Sequence, residues 1–451
     1  MPAEARRRNH HPCGPPMSTD SYTDVLADLY ALEAAKGMDF KLERVTLALE
    51  HLGNPHRRYP VVHIAGTNGK GSVAAMLHAI LTAAGSRVGL YTSPHLLSFT
   101  ERIRVGADTI AEAAVVQRAR EIGATVTSRG IDLTFFEFAT VMAFVEFARQ
   151  AVDIAVVEVG LGGRLDATNV VDPAVAVITT IGLDHEAFLG TSIASIAAEK
   201  GGIIKPGRPL VVGNVPATAR TVIEGLAAQC RAGTSWFATD FAIDGDDPFR
   251  FRMGQHEIAD LRVALRGGHQ RENAACAIAA ALRLRDVMPV PEAAIRHGLA
   301  QVQWPGRLQV LQETPLVVVD GAHNLEGVRT LTRELPALVG SRRVHLLFAV
   351  MRDKRWQPMV DVLGPIAASA TVTTVLPPRG EVPLTLAAAF APHCPVSVAR
   401  TPASGLTALL HRAGRGDAIV VAGSLFLVGE ALAALRLPHP SAPLFAAPSP
   451  A

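Results

Sequence analysis

Apolar residues in this chain of 451 residues fall into two alternating patterns, short unbroken runs and longer stretches with helical spacing. Unbroken apolar runs bounded by turn residues are typical of buried strands, and the first half of the chain has them at 59–62, 87–91, 153–159 and 174–179. Apolar side chains three and four positions apart predict helices at 73–81, 111–122 and 136–147. Strands that alternate with helices of this length predict a parallel, doubly wound α/β sheet.

The spacing changes in the second half of the chain. Shorter, turn-rich segments between 236 and 265 predict a small antiparallel β patch, which is followed by predicted helices at 270–285 and 291–299. After the turn Trp304–Arg307 the alternation restarts, with strands at 316–319, 344–348, 370–375 and 418–421 and helices at 326–338 and 425–435. We therefore predict an N-terminal doubly wound domain over 21–303 and a smaller, Rossmann-like α/β domain over 304–437, with disordered ends at 1–20 and 438–451.

The composition argues against several classes of protein. Hydrophobic residues make up 49% of the chain but aromatic residues only 5%, as expected where aliphatic strands are buried between helices. Lysine and arginine number 43 against 41 aspartate and glutamate, a formal net charge of +2, so no global field favours nucleic acid or a membrane surface. Apolar runs are broken by charge before about 18 residues, which argues against a membrane span. The four cysteines lie far apart without metal or redox spacing, which predicts a reduced, cytoplasmic chain.

The stretch His63–Ser72 predicts a strand, a glycine-rich turn and the start of a helix. Closely spaced glycines allow the backbone to fold round an anion, and the following helix directs the positive end of its dipole to the same place. Lys70 could reach the outer phosphates of a nucleotide, and the Ser72 hydroxyl could bind Mg²⁺. The general nucleotide-binding loop has glycine at the position of Ile64 and serine or threonine at that of Gly71, so these residues also allow a turn that binds nothing.

Three polar residues farther along the chain follow predicted strands or end a predicted helix. Glu158 ends an apolar strand directly before a glycine-rich turn, where a Mg²⁺-associated carboxylate is expected, although it could be an ordinary loop acid. His185 follows the next strand and could equally be a loop histidine whose hydrogen bonds are satisfied. Lys200 lies near a helix end, where lysines commonly interact with the helix dipole.

The Gly-Thr-Asn-Gly-Lys-Gly-Ser string at 66–72 resembles the phosphate loop of the folylpolyglutamate synthase and dihydrofolate synthase family, relatives of the Mur ligases. Glu158 and the turn after it are similar to the family's second signature, in which the glutamate binds metal. Ser93, in a Ser-Pro-His-Leu turn, resembles a serine that helps to bind metal. Asp184-His185 and Glu199-Lys200 resemble motifs in which the histidine binds a second Mg²⁺ and the lysine is carbamylated, and a desolvated lysine is able to capture CO₂.

The resemblance also assigns residues from the rest of the chain to ATP. Asn273 matches the residue that recognises adenine, although from the sequence it could be an ordinary asparagine at a helix start. Arg307 matches an arginine that reaches the phosphates, and Asp320 and His323, in an Asp-Gly-Ala-His-Asn string, match residues that contact ribose and phosphate. One departure is Arg355, because the family usually has an acid there and the local charge balance is therefore open.

These matches imply an ATP-dependent amide ligase that forms an acyl phosphate and joins L-glutamate to dihydropteroate, to reduced folates, or to both. The segment 38–44 is similar to a stretch that lies close to the pterin-bearing substrate. The implied cofactors are ATP and two Mg²⁺, with a monovalent cation as a further candidate. The implied enzyme is a cytoplasmic monomer without nucleic-acid or membrane partners.

The resemblance places three groups of residues in the site. The implied catalytic residues are Lys70, His185 and Lys200. The implied ATP contacts are Gly66, Thr67, Asn68, Gly69, Lys70, Gly71, Ser72, Asn273, Arg307, Asp320 and His323. The implied metal ligands are Ser72, Ser93, Glu158, His185 and Lys200 as its carbamate.

Two other functions stay open. A Mur-type ligase of peptidoglycan precursors shares the mechanism, but those enzymes have threonine after the loop lysine, where this chain has Gly71, and an additional N-terminal domain for a UDP-sugar. The roughly 40 residues before Val61 leave little room for that domain. A nucleotide-binding module without ligase activity would bind ATP but would leave the Asp320–Asn324 string without a role.

Overall fold

The computed structural model describes residues 21–36 and 41–435. The predicted disordered ends at 1–20 and 438–451, and the first residues of the 38–44 segment, lie outside the described residues. None of the helices in the described ranges combines the length and the apolar content that a membrane crossing requires.

The described residues form helices and strands in alternation along most of the chain. The helices are α1 (Tyr22–Lys36), α2 (Leu42–His51), α3 (Lys70–Ala83), α4 (Glu112–Arg129), α5 (Phe135–Arg149), α6 (Glu186–Leu189), α7 (Ile193–Gly201), α8 (Ala217–Cys230), α9 (Gly268–Arg283), α10 (Glu292–Gln301), α11 (Leu325–Val339), α12 (Gln357–Leu363), α13 (Pro383–Phe390), α14 (Pro402–Arg412) and α15 (Leu425–Ala434). The strands are β1 (Val61–Ala65), β2 (Val88–Tyr91), β3 (Ile103–Val105), β4 (Asp108–Thr109), β5 (Ile154–Glu158), β6 (Val175–Ile178), β7 (Leu210–Val212), β8 (Thr234–Trp236), β9 (Phe241–Asp244), β10 (Phe249–Met253), β11 (His256–Leu261), β12 (Gln309–Glu313), β13 (Leu316–Val319), β14 (Arg343–Phe348), β15 (Ser369–Val372), β16 (Val396–Val398) and β17 (Asp417–Ala422).

The first sheet has eight strands in the order β4-β3-β2-β5-β1-β6-β7-β8. The strands from β2 to β8 in this order are parallel, and β3 and β4 extend one edge antiparallel. Helices cover both faces, because Val62 and Ile64 of β1 pack with α3, α9 and α10, whereas Val61 packs with α1, α2, α4 and α5. This arrangement confirms the predicted doubly wound parallel sheet and explains why its central strand β1 is apolar at every position except His63.

The second sheet has six strands in the order β12-β13-β17-β14-β15-β16. All neighbouring pairs are parallel except β12 with β13, which are antiparallel. Helices α11, α12 and α13 pack on one face and α14 and α15 on the other. The predicted second α/β unit is therefore confirmed, with a mixed rather than a wholly parallel sheet.

Some element boundaries differ from the prediction. The predicted antiparallel patch is confirmed as the three-stranded sheet β9–β11, but β8, at the start of the same stretch, is the parallel edge strand of the large sheet. Helix α3 begins at Lys70, inside the predicted turn. The sequence also predicts a helix that begins at 189–191 and ends at Glu199-Lys200, whereas in the structure the short α6 ends at Leu189 and α7 begins at Ile193. Strand β15 ends at Val372, before the predicted limit.

Candidate active site

The loop between β1 and α3 passes so close to its neighbours that glycine is required at two positions. Gly66 has φ 153° and Gly69 has φ 85°, values that other residues rarely adopt. A Cβ atom at Gly66 would lie 1.9 Å from Thr179 Oγ1, and one at Gly69 would lie 2.4 Å from Asn273 Oδ1. The glycines therefore let the backbone of this loop fold tightly against β6 and α9.

Hydrogen bonds to the end of β6 hold the loop in place. The backbone N–H of Thr67 donates to Thr180 O at 2.8 Å, and that of Asn68 donates to Thr180 Oγ1 at 3.0 Å. The Lys70 ammonium folds back and donates to the carbonyl oxygens of Gly66 and Thr67, at 3.1 and 3.3 Å. Burial lowers the pKa of Lys70, and the nearby carboxylates of Glu158 and Asp184 oppose that shift.

The structure gives a physical reason for the departure of Gly71 from the general nucleotide-binding loop. A Cβ atom at Gly71 would lie 2.9 Å from the indole ring of Trp304, which belongs to the turn between α10 and β12. A larger residue therefore does not fit between Lys70 and the tryptophan. The hydroxyl that the general pattern has next to the lysine is instead carried by Ser72, one residue farther into α3.

Glu158, the last residue of β5, lies next to this loop because β5 pairs with β1, with Ile64 opposite Glu158. The carboxylate is buried and accepts the backbone N–H of Ser93 at 3.2 Å. Burial raises the pKa of Glu158, and the Lys70 ammonium is the largest of the opposing effects. The cavity beside Glu158 is also lined by Ser72 and Ser93, so the donor set consists of oxygen atoms, which Mg²⁺ prefers.

No metal cluster made of protein side chains alone is found in 21–36 and 41–435, where no three His, Cys, Asp or Glu side chains are placed to hold an ion. Mg²⁺ sites for nucleotides usually take most of their ligands from phosphate oxygens and water. The oxygen donors around Glu158 therefore fit a divalent cation that enters with a nucleotide.

Lys200, in the last turn of α7, is buried and points to the phosphate loop. Its ammonium donates to Gly66 O at 2.9 Å. Burial, together with the nearby Lys70 ammonium, lowers the pKa of Lys200 to about 7. A lysine with this pKa is partly a neutral amine at neutral pH, which is the form that reacts with CO₂.

Asp184 and His185 follow β6 and meet residues of the second sheet. Asp184 accepts hydrogen bonds from the Lys354 ammonium at 2.6 Å and from Asn324 Nδ2 at 3.0 Å, and His323 Nε2 lies 3.6 Å away. Burial acts to raise the pKa of Asp184, but His323 and Lys354 outweigh it and lower the pKa. Asp184 is therefore an anion that holds the two sheets' loops together.

His185 has a left-handed backbone conformation, with φ 51°, and lines the cavity. Burial and the Lys354 ammonium lower the pKa of His185 to about 4, so the imidazole is neutral at neutral pH. Its Nδ1 is buried and has no hydrogen-bond partner among the described residues. Neutral imidazole is the form of histidine that binds metal ions, so the protonation state of His185 fits a metal ligand.

The second sheet contributes Arg307, Asp320 and His323 to the same cavity. Asp320 directly follows β13, and its two oxygens accept the backbone N–H groups of Leu308 at 2.7 Å and Ala322 at 2.8 Å. These bonds fix the carboxylate at the strand end, where ligands of open α/β sheets bind. On the opposite side of the cavity, Asn273 of α9 donates to Gln270 Oε1 at 3.0 Å.

The structure brings every residue that the sequence placed in the site to one cavity of about 570 Å³ between the two sheets. The lining includes Gly66, Thr67, Asn68, Gly69, Lys70, Gly71, Ser72, Ser93, Glu158, His185, Lys200, Asn273, Arg307, Asp320 and His323. Their common location is an observed fact, whereas the role of each residue stays a prediction.

Sequence reasoning gave no role to two residues that connect the two sheets. Asn324 exchanges hydrogen bonds with the side chain of Asn68 at 3.0 and 3.2 Å and also binds Asp184. Lys354 bridges Asp184 and His185. Asn324 ends the Asp-Gly-Ala-His-Asn string and Lys354 directly precedes Arg355, but the partners of both residues are distant in the chain. The open charge balance at Arg355 is also resolved, because Arg355 Nη1 lies 3.6 Å from Glu186 Oε1.

Comparison with protein families matches both halves of the chain. Residues 64–281 match the Mur ligase middle domain, and residues 306–425 match the glutamate ligase domain of Mur ligases. Among curated proteins, the chain is 35% identical over 402 residues to a dihydrofolate synthase/folylpolyglutamate synthase of Bacillus subtilis, covering 86% of this chain and 93% of the relative. It is 37% identical over 371 residues to a folylpolyglutamate synthase of Lacticaseibacillus casei, covering 79% of this chain and 85% of that protein.

Solved structures give the same result. The E. coli FolC structure in complex with DHPP and ADP matches with a TM-score of 0.86 and 33% identity, covering 94% of this chain and 99% of that one. A bifunctional folylpolyglutamate synthase/dihydrofolate synthase of Yersinia pestis, complexed with AMPPNP and Mn ion, matches with a TM-score of 0.85 and 34% identity, covering 94% and 100%. The chain therefore belongs to the folylpolyglutamate synthase/dihydrofolate synthase family, within the Mur ligase superfamily.

Proposed function

We propose that this chain is an ATP-dependent ligase that joins L-glutamate to dihydropteroate, to reduced folates, or to both. The observation that carries the proposal is the single cavity between the two sheets, into which strand ends of both sheets project the predicted nucleotide residues. A binding site shared by two units suits a reaction in which three substrates must meet in one place and water must be kept out.

In this proposal the chain's own groups bind and orient the triphosphate. The N–H groups at the start of α3 and the Lys70 ammonium hold the phosphates, while Arg307 and His323 approach them from the second sheet. Asp320, fixed by its two backbone hydrogen bonds, contacts the ribose. The carboxylate of the acceptor attacks the γ-phosphorus, ADP leaves, and an acyl phosphate forms. The amine of L-glutamate then attacks the acyl carbon, and inorganic phosphate leaves as the amide forms.

The metal ligands in this proposal belong to two groups. Ser72, Ser93 and Glu158 hold one Mg²⁺, and His185 with Lys200 as its carbamate holds the second. When bound, Mg²⁺ neutralises charge that develops on the transferred phosphoryl group. The Lys200 amine is suited to carbamylation because burial brings its pKa to about 7. A monovalent cation is a further candidate cofactor.

Several finer assignments belong to the same proposal. The relatives' names and the DHPP in the E. coli structure support a pterin-bearing acceptor for this chain. We assign the ligase domain to 21–303 and the closing domain to 304–437, so that the boundary falls in the Trp304–Arg307 turn. We further assign the enzyme to the cytoplasm as a monomer.

The test is release of ADP by the purified chain with each acceptor in turn, with and without L-glutamate. We expect ADP release that needs both an acceptor and L-glutamate, with dihydropteroate, with a reduced folate, or with both. ATP binding without glutamate-dependent turnover would favour a non-catalytic nucleotide-binding module. Turnover of a UDP-MurNAc-peptide, with none of a pterin substrate, would favour a peptidoglycan-precursor ligase.

A further inference from the structure

Two tripeptides of opposite net charge meet between the two units, and we call them the clasp. Asp184-His185-Glu186 follows β6 of the first sheet, and Asp353-Lys354-Arg355 follows β14 of the second. Lys354 Nζ lies 2.6 Å from Asp184 Oδ1, and Arg355 Nη1 lies 3.6 Å from Glu186 Oε1. The clasp thus joins the two units by side-chain charges on either side of His185.

The central cation of the clasp is almost fully buried. The Lys354 side chain is 8% exposed, as is that of Asp184. Besides Asp184, the ammonium contacts His185, with 3.0 Å between Lys354 Nζ and His185 Nε2. Lys354 therefore neutralises Asp184 and occupies one nitrogen of His185 at the same time.

The hydrogen-bonding capacity of the two groups fixes the proton positions. An ammonium group donates hydrogen bonds and accepts none, so His185 Nε2 accepts from Lys354. A neutral imidazole has a single nitrogen lone pair in the ring plane, since the other nitrogen carries the proton. The proton of His185 is consequently on Nδ1, which is buried without a hydrogen-bond partner and lies 3.9 Å from Asp353 Oδ2. Neither nitrogen can bind a metal ion while Lys354 stays in place.

We propose that Lys354 is a built-in counter-cation of the Asp184–His185 site, and that its ammonium and a divalent cation exclude each other at His185. The proposal rests on the assignment of His185 as a metal ligand in the proposed function. It adds that metal binding must first displace a lysine that belongs to the other unit.

The exchange has a structural consequence. Displacing Lys354 removes the shortest contact of the clasp, yet other contacts between the units do not involve His185. Asn324 still binds Asp184, and Arg355 still faces Glu186. The loop 353–355 is therefore expected to move when a divalent cation reaches His185, while the two units stay in contact.

The test measures Mn²⁺ binding by electron paramagnetic resonance, with Mn²⁺ as the only added ligand. We expect Lys354→Met to bind Mn²⁺ about tenfold more tightly than the unchanged chain, since it removes both a competing cation and a nearby positive charge. Arg355→Met is the matched control, because it removes a cation from the same tripeptide that does not contact His185. Its affinity is expected to stay within about threefold of the unchanged chain.

A double variant tests whether the gain arises at His185. Adding His185→Gln to Lys354→Met is expected to abolish the gain in Mn²⁺ affinity. A gain that survives His185→Gln, or equal affinities in Lys354→Met and Arg355→Met, would overturn the proposal.

A measurement on the unchanged chain keeps the test valid if Lys354→Met does not fold. Crystals soaked in Mn²⁺ are expected to show an anomalous peak at His185 only where the Lys354 ammonium has left the ring nitrogen. Mn²⁺ and Lys354 bound to His185 together would contradict the proposal. The single variant His185→Gln distinguishes failure of the proposed function from failure of the clasp proposal. If activity and Mn²⁺ binding are unaffected in this variant, His185 is not a metal ligand and the proposed function fails at this residue. If activity falls and only the Lys354→Met prediction fails, the clasp proposal alone is wrong.

Discussion

The loop after β1 and the loop after β13 both lead from the end of a buried parallel strand into a helix, and both line the same cavity. They differ in how the helix begins. Helix α3 follows Gly69, which offers no side chain to cap its first N–H groups. Helix α11 follows Asn324, whose Oδ1 accepts the Gly327 N–H at 2.8 Å.

This difference assigns the two loops to different parts of a ligand. An uncapped helix start leaves backbone donors and a positive dipole end for an anion. The Asn324 cap satisfies one of the donors at the start of α11, and the second loop offers fixed side chains, among them Asp320, whose two oxygens accept backbone N–H groups. The first loop is therefore suited to phosphates through its backbone. The second loop offers side chains instead, which the proposed function assigns to ribose and phosphate (Asp320 and His323), and Asn324 makes contacts between the units. Three substitutions and one change of pH test this difference between the two loops.

The largest expected effect comes from Lys70→Met. In the proposed function the Lys70 ammonium binds the phosphates, so we expect its loss to lower kcat by about 10²–10³-fold. Steady-state kinetics with saturating ATP provides the measurement. Lys205→Met is the control, because Lys205 donates to Asn169 O outside the cavity lining. Equal activities in the two variants would remove Lys70 from the mechanism.

Gly69→Ala tests whether the first loop depends on its backbone path. Alanine at φ 85° costs about 1–2 kcal/mol, and its Cβ would also press against Asn273 Oδ1, so we expect the KM for ATP to rise about tenfold or more. Gly130→Ala is a matched control, since Gly130 also has positive φ but has open space around it. The control is expected to lower stability and leave the KM for ATP unchanged. The same change in KM in both variants would mean that the close approach at Gly69 has no role.

A change of pH tests the protonation state of Lys200, whose ammonium donates a hydrogen bond to Gly66 O of the first loop. Because its pKa is lowered to about 7, the side chain is an ammonium below that pH and a neutral amine above it. The amine fraction thus rises from about 10% to about 90% between pH 6 and pH 8. We expect the ¹³C carbamate signal of the chain in labelled bicarbonate to rise in the same window. A signal that is already full at pH 6, or that survives Lys200→Arg, would contradict this assignment.

The smallest expected effect comes from Asn324→Ala in the second loop. Loss of the helix cap costs about 1 kcal/mol of unfolding free energy, and loss of the contacts to Asn68 and Asp184 is expected to raise the KM for ATP a few-fold. Asn324→Ser restores the cap but cannot reach both partners, so it should recover stability in urea unfolding but not KM. Full recovery of both would show that the cross-unit bonds of Asn324 do not affect ATP.

The sequence predicted well those elements in which the apolar positions along the chain are also the buried positions in the structure. Strands β1 and β5 are apolar at every position except one polar residue each, and both faces of the sheet are covered. Helices α1 and α2 were not predicted, because few of their side chains are buried and the rest are exposed or half-buried. Strand β12 was missed because it is a mixed polar edge strand with an irregular register against β13.

The candidate site was predictable only in part for a similar reason. A phosphate loop consists of consecutive residues, so the motif Gly66–Ser72 could be recognised from the local sequence alone. The partners of Asp184 come from Lys354 and Asn324, at separations of 170 and 140 residues. No local pattern encodes such a pairing, because it depends on how the two sheets dock. The packing of Trp304 on Gly71 is hidden in the same way, although it determines which residue the loop can carry.

The most direct test of the account is a crystal structure of the chain with a non-hydrolysable ATP analogue and Mn²⁺. The account predicts one triphosphate, with its phosphates at Lys70 and the start of α3 and its ribose at Asp320 of the second sheet. A nucleotide bound at the first loop with Asp320 and His323 turned away from it, or bound in another place, would contradict the shared site.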